Sequence, residues 1–141
     1  MISCSFLTHP SEDQIAGIMH LYQAEKWWEG DMDNAKTVKK IISGSHCFVI
    51  ANIKNKIIGM GRAISDHVSD AYIQDVTVQE SFRGQKIGTR IIAMLIEKLN
   101  QDGIHWIGLI AEKNASPFYE PLGFTIMPNA APMLRKTYNG F

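Results

Sequence analysis

A short basic turn bracketed by glycines is the stretch whose residue types point most directly to chemistry. Its residues are Arg83, Gly84, Gln85, Lys86, Ile87, Gly88 and Thr89. Backbone N–H groups in such a turn, together with the positive end of a following helix, can bind an anion such as a phosphate. The alternative is an ordinary strand-to-helix turn. The spacing matches neither the phosphate loop of nucleoside triphosphatases nor the GxGxxG dinucleotide fingerprint.

Sulfur and imidazole side chains show no metal-binding or nucleophilic pattern. The two cysteines, Cys4 and Cys47, are too few and too far apart for a disulfide framework, and no Cys/His cluster has metal-ligand spacing. We therefore predict no metal cofactor and a reducing, cytoplasmic location. Cys47 lies in an apolar run and is expected to be an inert core thiol. Most of the histidines fit surface or turn positions, but His67, before the central strand, could reach an acceptor.

Length and charge limit the classes of function. A chain of 141 residues suits one domain, which we predict over residues 1–141. Because 14 Lys and Arg balance 14 Asp and Glu, no overall field attracts nucleic acid or an acidic membrane surface. The N-terminal stretch lacks a basic region, and the longest apolar run, 91–96, is far shorter than a bilayer span. We expect no nucleic-acid partner, no membrane partner and no targeting segment.

Apolar spacing and turn residues predict the elements that hold the basic turn. Ser11 and Ser116 are expected to cap helices, and Gly123 to follow the end of a short one. The almost wholly apolar segment 106–111 predicts a strand buried on both faces, joined to the preceding strand by a parallel crossover. The predicted strands are 2–7, 46–53, 57–65, 71–78, 106–111, 124–127 and 132–138, and the predicted helices are 11–27, 35–44, 88–99 and 116–122. The order β-α-α-β-β-β-α-β-α-β-β predicts an α/β fold.

Two separated motifs resemble the GNAT superfamily of acyl-CoA-dependent N-acyltransferases. The family signature Arg/Gln-x-x-Gly-x-Gly/Ala matches at Arg83 and Gly88, whereas Lys86 stands where the family usually has glycine. The segment NASPFYEPLGF is similar to a second family motif, with matches at Asn114, Ala115, Phe118, Tyr119, Glu120, Leu122, Gly123 and Phe124. The resemblance implies a mixed, mostly antiparallel central β-sheet flanked by helices, with a splayed parallel strand pair.

The resemblance also implies acetyl-CoA as the cosubstrate. In the family, the pyrophosphate of coenzyme A lies on the amides of the turn, and its pantetheine arm pairs with the splayed strand. Both contacts use backbone groups, so lysine in place of glycine at position 86 need not abolish binding. The residues implied to bind the cofactor are Val76, Thr77, Val78, Arg83, Gly84, Gln85, Lys86, Ile87, Gly88, Thr89, Asn114 and Phe118.

Acetyl transfer to an amine needs a proton for the leaving thiolate and a stabilised oxyanion. Tyr119 resembles the family's general acid, since a phenol with a pKa near 10 keeps its proton at neutral pH. The alternative is a core tyrosine that packs the short helix. The family arrangement suggests a backbone N–H near Val76 as the oxyanion donor.

The base that deprotonates the amine is less defined by the sequence. Asp75 lies on the implied strand and is one candidate; the other interpretation is a structural hydrogen-bond acceptor. Strand alternation places Asp75 with Ile73 and Thr77, opposite to Tyr72, Gln74 and Val76. A β-bulge could exchange which face meets the acceptor.

The acceptor pocket in the family is walled by the link between the first two helices. Here Trp27 and Trp28 are candidate substrate-binding residues, because aromatic faces among the acidic residues Glu25, Glu29, Asp31 and Asp33 suit a cationic or aromatic amine. The alternative is that one tryptophan packs under the sheet and the acids form a solvated charge run. A small, apolar opposite wall, MPNAAPML, favours a compact acceptor.

Three functions fit these residues. The first is N-acetylation of a small-molecule amine by acetyl-CoA, the second is acylation of a protein amine, and the third is non-catalytic sensing of acyl-CoA. The presence of Tyr119 argues against sensing, because binding alone does not require it. Homodimers are common in the family, so a homodimer is also possible here.

Overall fold

A computed structural model describes residues 1–28 and 35–136 of the chain. It divides into two compact units, Met1–Leu109 and Ile110–Phe141. The strands of the first unit are β1 (Ile2–Phe6), β2 (Cys47–Ile53), β3 (Lys56–Ser65), β4 (Asp70–Val78) and β5 (Trp106–Gly108). Its helices are α1 (Glu12–Ala24), α2 (Ala35–Gly44) and α3 (Ile87–Gln101), with a 3-10 turn at Glu80–Phe82.

The first unit is built on one five-stranded sheet in the order β1-β2-β3-β4-β5. The pairs from β1 to β4 are antiparallel, and β4 pairs with β5 in parallel. The predicted mixed, mostly antiparallel sheet is confirmed. The parallel register stops at Tyr72 and Gly108, so residues 73–78 of β4 have no strand partner on that side in the part of the chain that the structure describes. The splayed strand pair is therefore present.

Helices α1 and α3 cover opposite faces of this sheet. Met60 packs with α1 residues in a hydrophobic cluster, whereas the next residue, Gly61, faces Ile91 and Leu95 of α3. The α1 face buries Ile15, Ile18, Leu21 and Tyr22; the α3 face buries Ile87, Ile91, Ile92, Leu95 and Leu99. Both stripes follow the helical spacing of the sequence.

Helix α1 begins with the capping predicted from the sequence. The Ser11 hydroxyl accepts a bond from the Gln14 backbone N–H, and the Gln14 side-chain oxygen accepts one from the Ser11 backbone N–H. This reciprocal capping box satisfies two N–H groups that the helix cannot pair internally.

The last strand of the first unit differs from its prediction. Instead of a doubly buried strand over 106–111, β5 has three residues and Trp106 is 45% exposed. Because β5 lies last in the sheet order, β4 is its one neighbour among the described strands, and apolar composition alone did not reveal this edge position. Its Trp106 ring instead lies over Gly108, where an ideal Cβ would approach the ring to 3.1 Å.

The second unit contains helix α4 (Ser116–Tyr119) and a 3-10 turn (Glu120–Leu122). The N-cap is Ala115, not Ser116 as predicted, since α4 starts at Ser116 with Pro117 in its first turn. Gly123 ends the 3-10 turn at a φ of 99°, as expected for a helix stop. The predicted final hairpin is wrong over residues 124–136, which contain no strand. Pro128 and Pro132 interrupt this stretch and cannot donate to a ladder; residues 137 and 138 lie outside the described part.

Candidate functional site

The basic turn connects the end of β4 to the start of α3. Gly84 and Lys86 have φ values of 83° and 63°, and Lys86 is the N-cap of α3. Ile87, Gly88 and Thr89 form the first helical turn, where backbone N–H groups have no intrahelical acceptor. The predicted strand-to-helix turn is therefore present, with amides and the positive helix end available to an anion.

The side chain of Arg83 ties this turn to its surroundings. Its Nε donates to the Val78 carbonyl at 2.8 Å, and one terminal nitrogen donates to the Glu25 carboxylate at 3.1 Å. The pair joins the turn to the C-cap of α1. Arg83 was predicted to bind the cofactor, and its guanidinium bonds to two protein groups of the first unit.

Strand β4 carries a one-residue bulge next to the turn. Met60 of β3 faces Thr77, but Arg62 faces Gln74, so one β3 residue, Gly61, spans both Asp75 and Val76. Asp75 has a φ of 56°, a left-handed conformation that is uncommon for a residue other than glycine. The bulge allowed by the sequence interpretation is thus observed at the predicted strand.

The bulge changes which side chains share a face. The Asp75 carboxylate contacts Tyr22 of α1, whereas Val76 lies beside Gly61 on the α3 face. Simple alternation, which grouped Asp75 with Ile73 and set Val76 with Gln74, is wrong here. The extra residue shifts the alternation by one position between Gln74 and Val76.

Two donors hold the carboxylate of Asp75. Its Oδ2 accepts a hydrogen bond from the Tyr22 hydroxyl at 2.8 Å and another from Arg62 Nε at 2.7 Å. Arg62 also donates to the Gln74 side-chain oxygen at 3.2 Å. Burial, followed by the Asp75 carboxylate, raises the pKa of Tyr22 well above its usual range. The Tyr22 phenol therefore stays a proton donor.

Sequence reasoning missed Tyr22 and Arg62 as members of this site. Tyr22 lies in the apolar stripe of α1, and that spacing is typical of core residues. Arg62 carried a usable signal, because it is a charged residue inside the otherwise apolar strand segment GMGRAIS. A charge in a strand between apolar residues needs a partner, since burying an unpaired charge is costly.

The two tryptophans occupy different environments. Trp28 stacks on Tyr22 with a centroid distance of 4.2 Å and packs against the hydrophobic cluster under the sheet. Trp27 meets Tyr22 edge-on at 6.1 Å and is 37% exposed. The packing alternative thus describes Trp28, whereas Trp27 keeps an accessible face. Glu29, Asp31 and Asp33 lie outside the described residues.

Tyr119 sits among aromatic rings in the second unit. Its ring packs edge-on against Phe118 at 4.9 Å and Phe124 at 5.8 Å. Burial, with a smaller contribution from Glu112, raises the pKa of Tyr119. Asn114 has a φ of 60° before the short helix. The three predicted residues Asn114, Phe118 and Tyr119 thus share this unit, and the phenol is protonated at neutral pH.

His67 and Cys47 have contacts remote from the turn. His67 Nδ1 lies 2.8 Å from His46 Nδ1, and His46 Nε2 lies 2.7 Å from an Asp102 oxygen, just beyond the C-terminal end of α3. The basic turn is at the other end of that helix.

Burial raises the pKa of Cys47 to about 11, so this free thiol carries little thiolate, in agreement with the inert thiol that was predicted.

The described residues contain no group of three or more His, Cys, Asp or Glu side chains arranged to hold a metal ion. Among the helices of the same residues, none is long and apolar enough to cross a membrane.

Several known proteins are similar to this chain in sequence or in fold. The acetyltransferase (GNAT) domain matches residues 6–132. Histone acetyltransferase TAP1 of Glycine max is 42% identical over 77 residues, covering 55% of this chain and 33% of that protein. Chloroplastic serotonin N-acetyltransferase 2 of Oryza sativa subsp. japonica is 34% identical over 73 residues, covering 52% and 36%.

A crystal structure of a predicted acetyltransferase from Clostridium acetobutylicum with acetyl-CoA shares the fold, with a TM-score of 0.72 and 19% identity. The match covers 95% of this chain and 96% of that one. The present chain spans about a third of the length of three curated relatives that it matches, 29% to 33%. Since the domain match covers most of its residues, the chain belongs to the GNAT family of acetyltransferases.

Proposed function

We propose that this protein transfers an acetyl group from acetyl-CoA to a primary amine, and that the amine belongs to a small molecule. The observation that carries the proposal is the continuous backbone surface formed by β4 and the basic turn. Among the described residues, the strand has an open edge from Ile73 onward, a bulge at Asp75, and a direct connection to the start of α3, where amides have no intrahelical acceptor. The extended pantetheine arm of acyl-CoA needs an open strand edge for its hydrogen bonds. The pyrophosphate of acyl-CoA needs backbone N–H groups such as those at the start of a helix.

The proposed reaction is direct attack of a neutral amine on the thioester. The nitrogen forms a bond to the carbonyl carbon, and the negative charge on oxygen is stabilised by a backbone N–H near Val76. The tetrahedral intermediate collapses as the C–S bond breaks, and the thiolate takes the proton of the Tyr119 hydroxyl. The attacking nitrogen then loses a proton, which restores the Tyr119 hydroxyl. Before the attack, the ammonium form of the amine loses another proton to water or to a protein base. This base matters because less than about one part in a thousand of an alkylamine is neutral at pH 7.

A small acceptor is favoured by the exposed face of Trp27 in the link after α1. An aromatic face near carboxylates attracts a cationic or aromatic amine. The name of the rice relative, a serotonin N-acetyltransferase, supports an aryl-alkyl amine. The name of the soybean relative, a histone acetyltransferase, supports the second candidate, acylation of a protein amine.

The first experiment measures release of the coenzyme A thiol from acetyl-CoA by the purified protein. The panel contains aryl-alkyl amines, polyamines, amino acids and basic peptides, each at several concentrations. We expect saturable release with one class of small amine. If only basic peptides cause release, the acceptor is a protein amine. Binding of acetyl-CoA without release for any amine would favour a non-catalytic sensor of acyl-CoA.

Location and assembly also remain proposals. Two free cysteines suit a reducing compartment such as the cytoplasm, while several relatives have names that say chloroplastic. Fractionation of cells that express the tagged protein distinguishes these compartments, and light scattering tests the possible homodimer.

A further inference from the structure

Asp75 lies where the strand is irregular and where three elements of the first unit meet. Its carboxylate joins Tyr22 of α1 to Arg62 of β3, while its backbone forms the bulge of β4. We propose that Tyr22, Arg62 and Asp75 form a clamp that fixes this bulge, so that Asp75 is a positioning residue and not the general base. The proposal rests on the proposed function for its catalytic consequence, but the clamp itself can be tested without turnover.

The backbone of Asp75 needs support from its surroundings. A left-handed conformation is disfavoured for residues that have a Cβ, and it persists where neighbouring contacts hold it. At Asp75, whose φ is 56°, two hydrogen bonds to one carboxylate oxygen provide that hold. Aspartate and asparagine tolerate this conformation better than other residues with side chains.

The two donors of the clamp are fixed independently. Tyr22 is 2% exposed, belongs to the hydrophobic cluster and stacks on Trp28. Arg62 is held on β3 by pairing with Phe48 of β2, and its side chain also donates to Gln74 of β4. Both donors are therefore anchored on elements other than the bulge, and they can impose its position.

Gly61 lies opposite the bulge and leaves space for close packing on the α3 face of the sheet. An ideal Cβ at this position would lie 2.7 Å from Ile91 Cγ2 and 3.2 Å from Val76 Cγ2. Glycine thus leaves the space in which Val76 packs directly after the bulge. The position of the Val76 amide depends on the clamp on one face of the sheet and on this close packing on the other.

The same contacts commit one oxygen of the Asp75 carboxylate to the clamp. A general base must present an oxygen to the proton that it removes. Oδ2 of Asp75 already accepts a charge-assisted bond from a permanently charged guanidinium and a second bond from a phenol. Protonation of that oxygen would break the clamp. The Tyr22 hydroxyl is committed to the clamp as well, because it donates its proton to the same oxygen.

The main test compares Asp75→Asn with Asp75→Leu, two side chains of similar size. Asparagine keeps an acceptor oxygen and tolerates the left-handed backbone but cannot act as a base; leucine loses both properties. We expect Asp75→Asn to lower kcat by less than about tenfold and to keep the acidic limb of the pH profile of kcat/KM. We expect Asp75→Leu to lower kcat by at least about a hundredfold.

A readout that does not need turnover is the ¹H–¹⁵N signal of the Val76 amide. We expect this signal to stay near its wild-type position in Asp75→Asn and to shift in Asp75→Leu. Tyr22→Phe and Asp75→Gly test the clamp if the leucine variant does not fold. Tyr22→Phe removes one hydrogen bond and leaves Asp75 in place, whereas Asp75→Gly removes both bonds and suits the left-handed backbone. Both are expected to shift the Val76 signal and to increase hydrogen exchange at residues 74–77.

The outcomes separate three cases. If Asp75→Asn loses activity as severely as Asp75→Leu while its Val76 signal is unchanged, the carboxylate acts chemically and the proposal is overturned. An unchanged Val76 signal in Tyr22→Phe, Asp75→Gly and Asp75→Leu would overturn the clamp itself. If the wild type acetylates no amine, the proposed function fails, yet shifts of the Val76 signal would still support the clamp.

Discussion

At the scale of single residues, Lys86 adopts a backbone conformation in the turn that favours glycine. Lys86 stands where the family usually has glycine, and it adopts a φ of 63°. This conformation costs a residue with a Cβ roughly 1–2 kcal/mol, whereas glycine adopts it freely. The lysine therefore keeps the shape of the glycine turn at a cost in stability, and it adds a positive charge beside the amides at the start of α3.

Replacing Lys86 by glycine tests this account. We expect Lys86→Gly to leave the free energy of unfolding unchanged or to raise it by up to about 1 kcal/mol, because relief of strain is partly offset by glycine's chain entropy. Lys86→Val is the matched control and should destabilise the protein, since a β-branched residue is an outlier at this φ. Urea titration measures all three proteins; greater stability of the valine variant would contradict the account.

Tyr119 is the residue whose chemistry can be tested most simply. We expect Tyr119→Phe to lower kcat at least tenfold while acetyl-CoA affinity, measured by calorimetry, stays near normal. Because burial raises the pKa of Tyr119, the wild-type enzyme should not lose activity through ionisation of this phenol below about pH 10. Unchanged turnover in Tyr119→Phe would remove this hydroxyl from the mechanism.

At the scale of elements, the contact between β3 and α3 depends on the absence of a side chain at Gly61. We expect Gly61→Ala to destabilise the protein by about 1–3 kcal/mol, because its methyl group would meet Ile91 at 2.7 Å. Gly44→Ala in α2 is the control: its Cβ would meet nothing within 4 Å, and alanine favours helix. Equal thermal stability of the two variants would show that β3 and α3 adjust freely.

At the scale of the whole molecule, two carboxylates link global stability to pH. Asp66 accepts bonds from the backbone of Ser69 and Val68, and Asp102 is bonded to His46; these bonds hold the pKa of each carboxyl below its ordinary value. The unfolded chain, with Asp pKa values near 3.9, then binds protons before the folded chain does. Their contribution to stability is present above about pH 4 and disappears as pH falls through the folded pKa values.

The measurement is a series of chemical unfolding curves from pH 7 to pH 2.5. We expect the midpoint of the wild type to fall most steeply below pH 4. Asp66→Asn cannot titrate at this position, so its midpoint should fall less over the same interval. Parallel curves for the two proteins would show that Asp66 has the same pKa in both states.

Helices and turns with local sequence signals could be predicted from the sequence. Ser11 with Gln14 specified the start of α1, the apolar stripe from Ile91 to Leu99 specified α3, and the residues from Arg83 to Thr89 specified the turn before it. Capping, amphipathic spacing and turn residues act within one or two turns of chain, so their pattern can be read without knowing the fold.

Features that depend on residues distant in the chain could be seen only in the tertiary structure. The bulge at Asp75 follows from its pairing with β3 and from donors on Tyr22 and Arg62, which are 53 and 13 residues away. The edge position of β5 was hidden because an apolar run looks the same in a central strand and at an edge. Face alternation through β4, the packing of Trp28 and the contacts of the Asp75 carboxylate all depended on sheet register, which is fixed by packing between elements and not by local composition.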